Sequence, residues 1–276
     1  MQQRLFSTGA RVFERQVPRF VTTLKEASKP ALERSQPITK PFGFDSPTYL
    51  SHESSSITNV LSLAAREKRQ KQLDHDIVHS PFYESKSFTN TQGKIFTPPV
   101  SYFKKDKAKY FPSFTGYTLL NHKKSLYDVL KGKVSIVRIF STVSGQNCTD
   151  TYTPDNLSAE GYEQLQKQYP HTQIVDVNLP QSWIKGLFVK LAKSNLRGMI
   201  PPARHDTYFM LSSNTFSVDV KKTLMCDNTC SGYIYILDED GKIRWATSGF
   251  ANDDETKVLW RTVRGLEKEL EQKTKA

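Results

Sequence analysis

The stretch GYIYILDEDGKIRWATSG, residues 232–249, decides the fold of this chain. Its first half is a run of aromatic and aliphatic residues, which predicts a strand buried on both faces. Asp240-Gly241 follows, and this pair is the strongest short signal for a β-hairpin. Ile243 and Trp245 then alternate with basic residues, so the return strand is expected to have one dry face and one wet face. The stretch therefore predicts a hairpin.

Helix and strand patterns alternate on both sides of this hairpin. Strands are expected over 134–140, 173–179 and 206–211, and helices over 158–168, 182–196, 216–224 and 254–272. Ser158 is a typical helix N-cap, and acidic residues follow it in the first turn. The order β-α-β-α-β-α-β-β-α predicts an α/β domain over 111–276. This order, with its closing hairpin and helix, resembles the thioredoxin-like and peroxiredoxin-like folds.

Composition narrows the class of protein. The chain has 276 residues, of which 37% are hydrophobic, enough for the core of one ordinary domain with extensions. No run approaches the 18 apolar residues of a transmembrane helix, and the mean hydropathy is −0.54. The net charge of +11 favours acidic partners such as anionic lipid, nucleic acid or acidic protein. Three cysteines are too few for a disulfide scaffold, which is typical of a reducing compartment.

Residues 1–27 have the composition of a mitochondrial transit peptide. They carry four arginines and Lys25 among apolar, Ser and Thr residues, with Glu14 and Glu26 as the acidic residues. They lack the continuous apolar core of a secretory signal. The alternative is a basic tail that binds nucleic acid.

Residues 28–110 are interpreted as a long, partly disordered linker or extension. Prolines and serines dominate its first half, and one helix is expected over about 56–76. Its end runs into a tract, 102–114, in which aromatic residues alternate with lysines. Such a tract can stack on bases or lie at a membrane surface. The favoured interpretation is that its aromatic side chains pin the extension to the domain.

The cysteines predict little redox or metal chemistry. Cys148 follows the first long strand, where thioredoxin-like enzymes place their nucleophile, but no second cysteine stands three residues away. No proline precedes Tyr233 closely, where thioredoxins have their cis-proline. Cys226 and Cys230 form a single C-x3-C pair, and a tetrahedral zinc site needs about four ligands. We therefore expect no catalytic residue, no metal and no cofactor. A thiol oxidoreductase using Cys148 remains the alternative.

The segment 181–206 is basic and amphipathic. As a helix it would place Trp183, Leu187 and Leu191 on one face, which Ile184 and Phe188 widen. Such a helix can lie on an anionic membrane or hold an apolar partner. The same periodicity equally fits a core-facing helix with a solvated basic back.

Three long blocks carry a resemblance to a known family. FTGYTLLNHKKSLYDVLKGKVSIVRIFS, WIKGLFVKLAKSNLRGMIPPARHDTYF and GYIYILDEDGKIRWATSGFA together resemble the fungal mitochondrial ATP synthase assembly factors conventionally numbered ten. The resemblance covers about 111–270. It implies a protein on the matrix side of the mitochondrial inner membrane, peripheral to it, which acts as an assembly chaperone for the membrane sector. It also implies a partner, the newly made subunit 6, whose assembly with the subunit 9 ring is assisted. No enzyme activity and no cofactor are implied.

The resemblance and the amphipathic segment together suggest a partner-binding surface. The alternative of an RNA-binding or ribosome-associated protein stays open, although no nucleic acid is expected as a partner. The predicted partner-binding residues are Trp183, Ile184, Leu187, Phe188, Arg197, Arg204, His205, Asp206, Arg244 and Trp245.

Overall fold

A computed structural model describes residues 28–50, 63–180 and 193–275. The strands in these ranges are β1 (Gln36–Pro37), β2 (Tyr49–Leu50), β3 (Phe96–Thr97), β4 (Ser113–Thr118), β5 (Lys123–Ser125), β6 (Val134–Phe140), β7 (Thr172–Asn178), β8 (Tyr208–Met210), β9 (Gly232–Leu237) and β10 (Ile243–Ser248). The α-helices are α1 (Leu63–Val78), α2 (Pro81–Thr91), α3 (Leu126–Leu130), α4 (Val143–Asp150), α5 (Ala159–Gln168), α6 (Lys193–Met199), α7 (Val218–Thr223) and α8 (Asp253–Lys275). Within the described ranges, every helix is too short or too polar to cross a bilayer.

The main sheet has the thioredoxin-like strand arrangement. Its order is β10-β9-β6-β7-β8-β4-β2, with β5 paired to β4. The central strands β6 and β7 run parallel, and β9 and β10 follow them in antiparallel register. Helices α4 and α5 lie between β6 and β7 in the chain, as a parallel crossover requires. The predicted fold class is confirmed.

The central strands are buried on both faces, and residues of opposite parity supply two separate cores. Val137 and Tyr235 belong to one core, and Ile136 and Ile236 to the other. Helix α8 covers the second core. Its buried apolar residues recur at helical spacing: Leu259, Val263, Leu266 and Leu270.

Local signals place several elements correctly. The Ser158 hydroxyl accepts a hydrogen bond from the Gly161 amide at 3.0 Å, so it caps α5 as its sequence predicts. The hairpin turns at Gly241, whose φ of 79° lies in the left-handed region. In the predicted helix over 182–196, residues 193–196 belong to α6, and its first part lies outside the described residues. Helices α2 and α4 are not anticipated from the sequence.

The return strand β10 has no wet face, and that expectation is wrong. All of its residues are buried, including Arg244 and Trp245. The backbone amide of Phe103 donates to the Arg244 carbonyl at 2.7 Å, so part of the extension runs along this strand. The face of β10 that carries Arg244 is polar but covered, because carboxylates inside the protein pair with the Arg244 guanidinium.

Much of the extension 28–110 is folded against the domain. Strand β1 pairs with β3, strand β2 pairs with β4, and the side chain of Phe96 is completely buried. Two helices, α1 and α2, lie in this range, where one was expected. The extension is anchored by aromatic residues that are not regularly spaced, so the periodicity of the sequence did not predict this packing.

The basic and aromatic tract 102–114 serves as an anchor. Phe111 and Phe114 are buried in the first core, which confirms the favoured interpretation of this tract. Lys105 pairs with Glu239 and Asp240 at the hairpin turn, at 2.6 Å each. The predicted transit peptide, 1–27, lies outside the described residues.

Candidate functional site

The N-terminus of α4 follows β6, where redox enzymes of this fold carry their reactive cysteine. Here hydroxyl groups occupy it. Thr142 donates to the Thr229 carbonyl at 3.1 Å and accepts from the Gly145 amide, while Ser144 donates to the Cys230 carbonyl at 2.8 Å. A Cβ placed on Gly145 would lie only 2.6 Å from the Ser231 carbonyl oxygen. The helix start is therefore packed closely against the segment before β9, and its polar groups are used in structural contacts.

Cys148 lies in the second turn of α4 and is completely buried. Burial raises the pKa of its thiol to about 11, although the nearby Lys94 charge partly opposes this. A thiol is reactive as the thiolate, so this residue is poorly suited to nucleophilic chemistry at neutral pH. Cys226 is also buried, which raises its pKa to about 12. None of the three cysteines is in a disulfide.

A buried polar cluster lies next to Cys148. Lys94 donates to the Tyr152 hydroxyl at 2.5 Å and forms an ion pair with Glu255. The Tyr152 hydroxyl donates to Glu255 Oε2 at 2.6 Å. Burial lowers the pKa of Lys94 and raises that of Tyr152. The cluster joins the extension to the turn after α4 and to α8, and no local sequence pattern indicates it.

Two arginines share one buried aspartate beneath the ends of the central strands. Arg204 pairs with Asp176 Oδ2, and the Nε atom of Arg138 lies 3.4 Å from Asp176 Oδ1. All three side chains are at most 2% exposed. Arg138 also pairs with Asp150, which is partly exposed. Because a buried charge is costly unless it is paired, this cluster ties β6, β7 and the turn before β8 together.

Arg244 and Trp245 hold the extension on the hairpin side of the sheet. The guanidinium of Arg244 makes two hydrogen bonds to Glu269, at 2.8 and 3.0 Å, and one to the Phe103 carbonyl at 2.7 Å. The indole of Trp245 donates to the Pro99 carbonyl at 3.1 Å and is completely buried. Both side chains are engaged inside the chain, and so they present no surface to a partner in this structure.

The predicted partner-binding residues fall into three groups. Trp183, Ile184, Leu187 and Phe188 lie outside the described residues. Arg197 and the Arg204–Asp206 turn lie beside β4 and β8, whereas Arg244 and Trp245 lie on β10, at the opposite edge of the sheet. The structure therefore does not bring Arg244 and Trp245 together with Arg197 or with the Arg204–Asp206 turn.

In the Arg204–Asp206 turn, the exposure of the side chains differs from one residue to the next. Arg204 and His205 are buried, and His205 Nε2 lies 2.7 Å from the Ile200 carbonyl oxygen. Asp206 is partly exposed and binds His122 and Lys124. Burial acts to raise the pKa of Asp206, but the hydrogen bonds from Lys124 and His122 outweigh it and lower that pKa. Of these three positions, Asp206 alone retains a substantially accessible side chain.

Exposed apolar and basic residues lie on α6 and on the end of β4 and the following turn that α6 contacts. We call them the α6 surface: Tyr117, Leu120, Lys193, Arg197 and Met199. Arg197 donates to the Leu119 carbonyl at 2.7 Å, and Lys193 donates to the Thr118 carbonyl at 3.2 Å. These bonds dock α6 on the β4–β5 turn and leave Met199 76% exposed and Tyr117 54% exposed. The sequence did not indicate that Tyr117 and Met199 are exposed, because their exposure depends on how α6 packs against the β4–β5 turn.

Comparison with known proteins gives the family. The family model described as ATP10 protein matches residues 22–266. The chain belongs to the ATP10 protein family. Three curated relatives carry the name mitochondrial ATPase complex subunit ATP10. The Eremothecium gossypii protein is 34% identical over 79% of both chains. The Candida glabrata protein is 33% identical over 91% of this chain and 92% of its own. The Saccharomyces cerevisiae protein is 31% identical over 90% and 93%.

Solved structures similar to this ATP10 family member come from redox and assembly proteins. A putative thiol:disulfide interchange protein DsbE from Chlorobium tepidum is 15% identical, with a TM-score of 0.39, over 58% of this chain and 96% of that chain. BsSco, of the Sco family of cytochrome c oxidase assembly proteins, is 16% identical, with a TM-score of 0.40, over 59% and 96%.

Proposed function

We propose that this chain is an assembly factor for mitochondrial ATP synthase and that it acts on the membrane sector without enzymatic activity. Family membership carries the proposal, because relatives matched over most of their length are named as mitochondrial ATPase complex subunits. The burial of Cys148 and the hydroxyl-lined start of α4 favour a scaffold over a thiol enzyme.

The proposed client is newly made subunit 6, which the chain would hold for assembly with the subunit 9 ring. An unassembled membrane subunit exposes apolar helices and costly intramembrane charges. Trp183, Ile184, Leu187 and Phe188 would contact these helices, together with the α6 surface. The net charge of +11 would hold the protein peripherally on the anionic matrix face of the inner membrane.

Deletion of the gene followed by native-gel analysis of ATP synthase tests the function. We expect the catalytic sector to form while the membrane sector lacks subunit 6, and we expect the full chain to restore it. A normal complex with an intact membrane sector in the deletion strain would contradict the proposal.

Site-specific crosslinking tests the surface. Replacing Trp183, Leu187 and Phe188 together by Asp should abolish crosslinking to subunit 6, because each carboxylate would have to be buried against an apolar helix. Val100→Asp is the matched control, since Val100 is 88% exposed and distant in sequence. Undiminished crosslinking in a folded triple variant would exclude this surface.

Two other functions predict different results. A thiol oxidoreductase requires that Cys148→Ser destroys complementation, whereas the assembly proposal expects little effect. An RNA-binding protein requires steeply salt-dependent binding through the lysines of 104–109.

A further inference from the structure

A cluster of two histidines and one aspartate lies at the end of α1, where the function proposed above does not use it. His75 and His79 are four residues apart, so they lie on one side of the helix end. Asp227 comes from the turn after α7. One ligating atom from each of the three side chains lies within 4.8 Å of the other two.

His79 presents a lone pair to this cluster. Its Nδ1 atom lies 3.2 Å from the His75 carbonyl oxygen, which can only accept, so Nδ1 donates there, and Nε2 accepts from the Lys29 ammonium, which can only donate. Nε2 faces Asp227 Oδ2 at 3.3 Å. Two acceptors attract each other only through a cation or proton between them. Lys29 supplies that cation here, with its Nζ atom 2.6 Å from Nε2. A ring whose second nitrogen donates to a backbone carbonyl has the second-shell arrangement of metal-binding histidines.

His75 supplies an independent observation. Its side chain is 6% exposed and stacks on the His79 ring, with centroids 3.9 Å apart. Among the residues that the structure describes, neither of its ring nitrogens has a hydrogen-bond partner, and Asp76 Oδ1 lies 3.6 Å from Nδ1. Buried polar atoms are nearly always paired, so this ring points to a ligand.

We propose that His75, His79 and Asp227 bind a divalent zinc ion. Two imidazoles and one carboxylate are a typical three-residue zinc set, with a fourth position left for water. Nitrogen ligands favour zinc over magnesium or calcium, which prefer oxygen. Binding requires the Lys29 ammonium to move away from His79 Nε2 and the His75 ring to rotate out of its stack on His79, so that one nitrogen of each ring can face the metal. The ion would then link α1 of the extension to the turn after α7.

Zinc titration of the full-length chain, stripped with a chelator, tests this proposal by calorimetry. We expect one zinc ion per chain. His75→Ala and Asp227→Asn should each weaken binding by about tenfold or more, since each removes a ligand. Lys29→Met should tighten binding, because it removes the competing ammonium. His122→Ala and Asp240→Asn are matched controls at exposed positions and should leave the affinity unchanged.

Cobalt absorption identifies the ligands. A tetrahedral Co²⁺ spectrum without a thiolate charge-transfer band is expected, and such a band would place the metal on the cysteines and overturn the proposal. The proposal is also overturned if no stoichiometric zinc binds, or if the ligand variants behave like the controls. If His75→Ala or Asp227→Asn fails to fold, the zinc affinity of Lys29→Met is the deciding measurement. An affinity that is unchanged or weaker than that of the unmodified chain overturns the proposal.

Discussion

Replacing Asp176 by Asn removes one negative charge from the centre of the protein and keeps the shape of the side chain. Asp176 is 1% exposed and faces Arg138 and Arg204, which are both 2% exposed. Arg138 keeps a second partner in Asp150, whereas Arg204 keeps, among the described residues, the Leu157 carbonyl at 3.2 Å and no second carboxylate. The variant therefore leaves a buried guanidinium without a neutralising charge.

The magnitude follows from this geometry. Two unit charges about 4 Å apart interact by about 4 kcal/mol at the effective dielectric constant of about 20 that suits protein sites. Breaking one partner of a buried pair costs about 3–5 kcal/mol, in agreement with that figure. We expect Asp176→Asn to lower the free energy of unfolding by about 4 kcal/mol.

Urea unfolding followed by circular dichroism measures the loss. With a slope of about 2 kcal/mol per molar urea, the midpoint should fall by about 2 M. Asp150→Asn is the matched control, because Asp150 is 36% exposed and its loss should cost about 1 kcal/mol or less. Adding Arg204→Met to Asp176→Asn should recover part of the stability, since it removes the unpaired charge. A loss no larger than that of the control would refute the reasoning.

Two further predictions concern Cys148 and the glycines. Cys148 should resist maleimide labelling up to about pH 9 in the folded chain and react readily in urea. Burial raises its pKa to about 11, so the thiolate forms only as the pH rises toward that value. Because Cys230 is partly exposed, labelling is measured on the Cys148 peptide, and fast labelling there in the folded chain would contradict the prediction. Gly249→Ala should lower the thermal midpoint more than Gly132→Ala. Both glycines have a positive φ, at 69° and 71°, and an alanine there costs about 1–2 kcal/mol. Only at Gly249, of these two, would the added Cβ also overlap the backbone of Gly93. If the two variants lose the same thermal stability, the overlap with Gly93 is relieved without cost and the prediction is wrong.

The fold could be predicted because its signals are local. The hairpin 232–249, the cap at Ser158 and the apolar spacing of α8 each report which face of one element is buried. The absence of a second cysteine near Cys148 is equally visible in the sequence. These features together define a thioredoxin-like frame and argue against thiol chemistry on it.

The partners of charged residues were decided only in three dimensions. The alternating pattern predicts a solvated Arg244, yet its buried guanidinium pairs with the carboxylates of Asp238 and Glu269. His75 and His79 meet Asp227 from a distant part of the chain. No local sequence pattern predicts such a long-range contact, because the contact depends on how the extension packs against the domain.

By itself, then, the sequence of 232–249 determined a buried strand, a tight turn and a returning strand, since side-chain alternation and Asp-Gly turn chemistry act over a few residues. Only the tertiary structure decided that the return strand is covered on both faces. The extension lies along it there, and the energy of that contact comes from the pairing of Arg244 and the burial of Trp245, which distant residues supply.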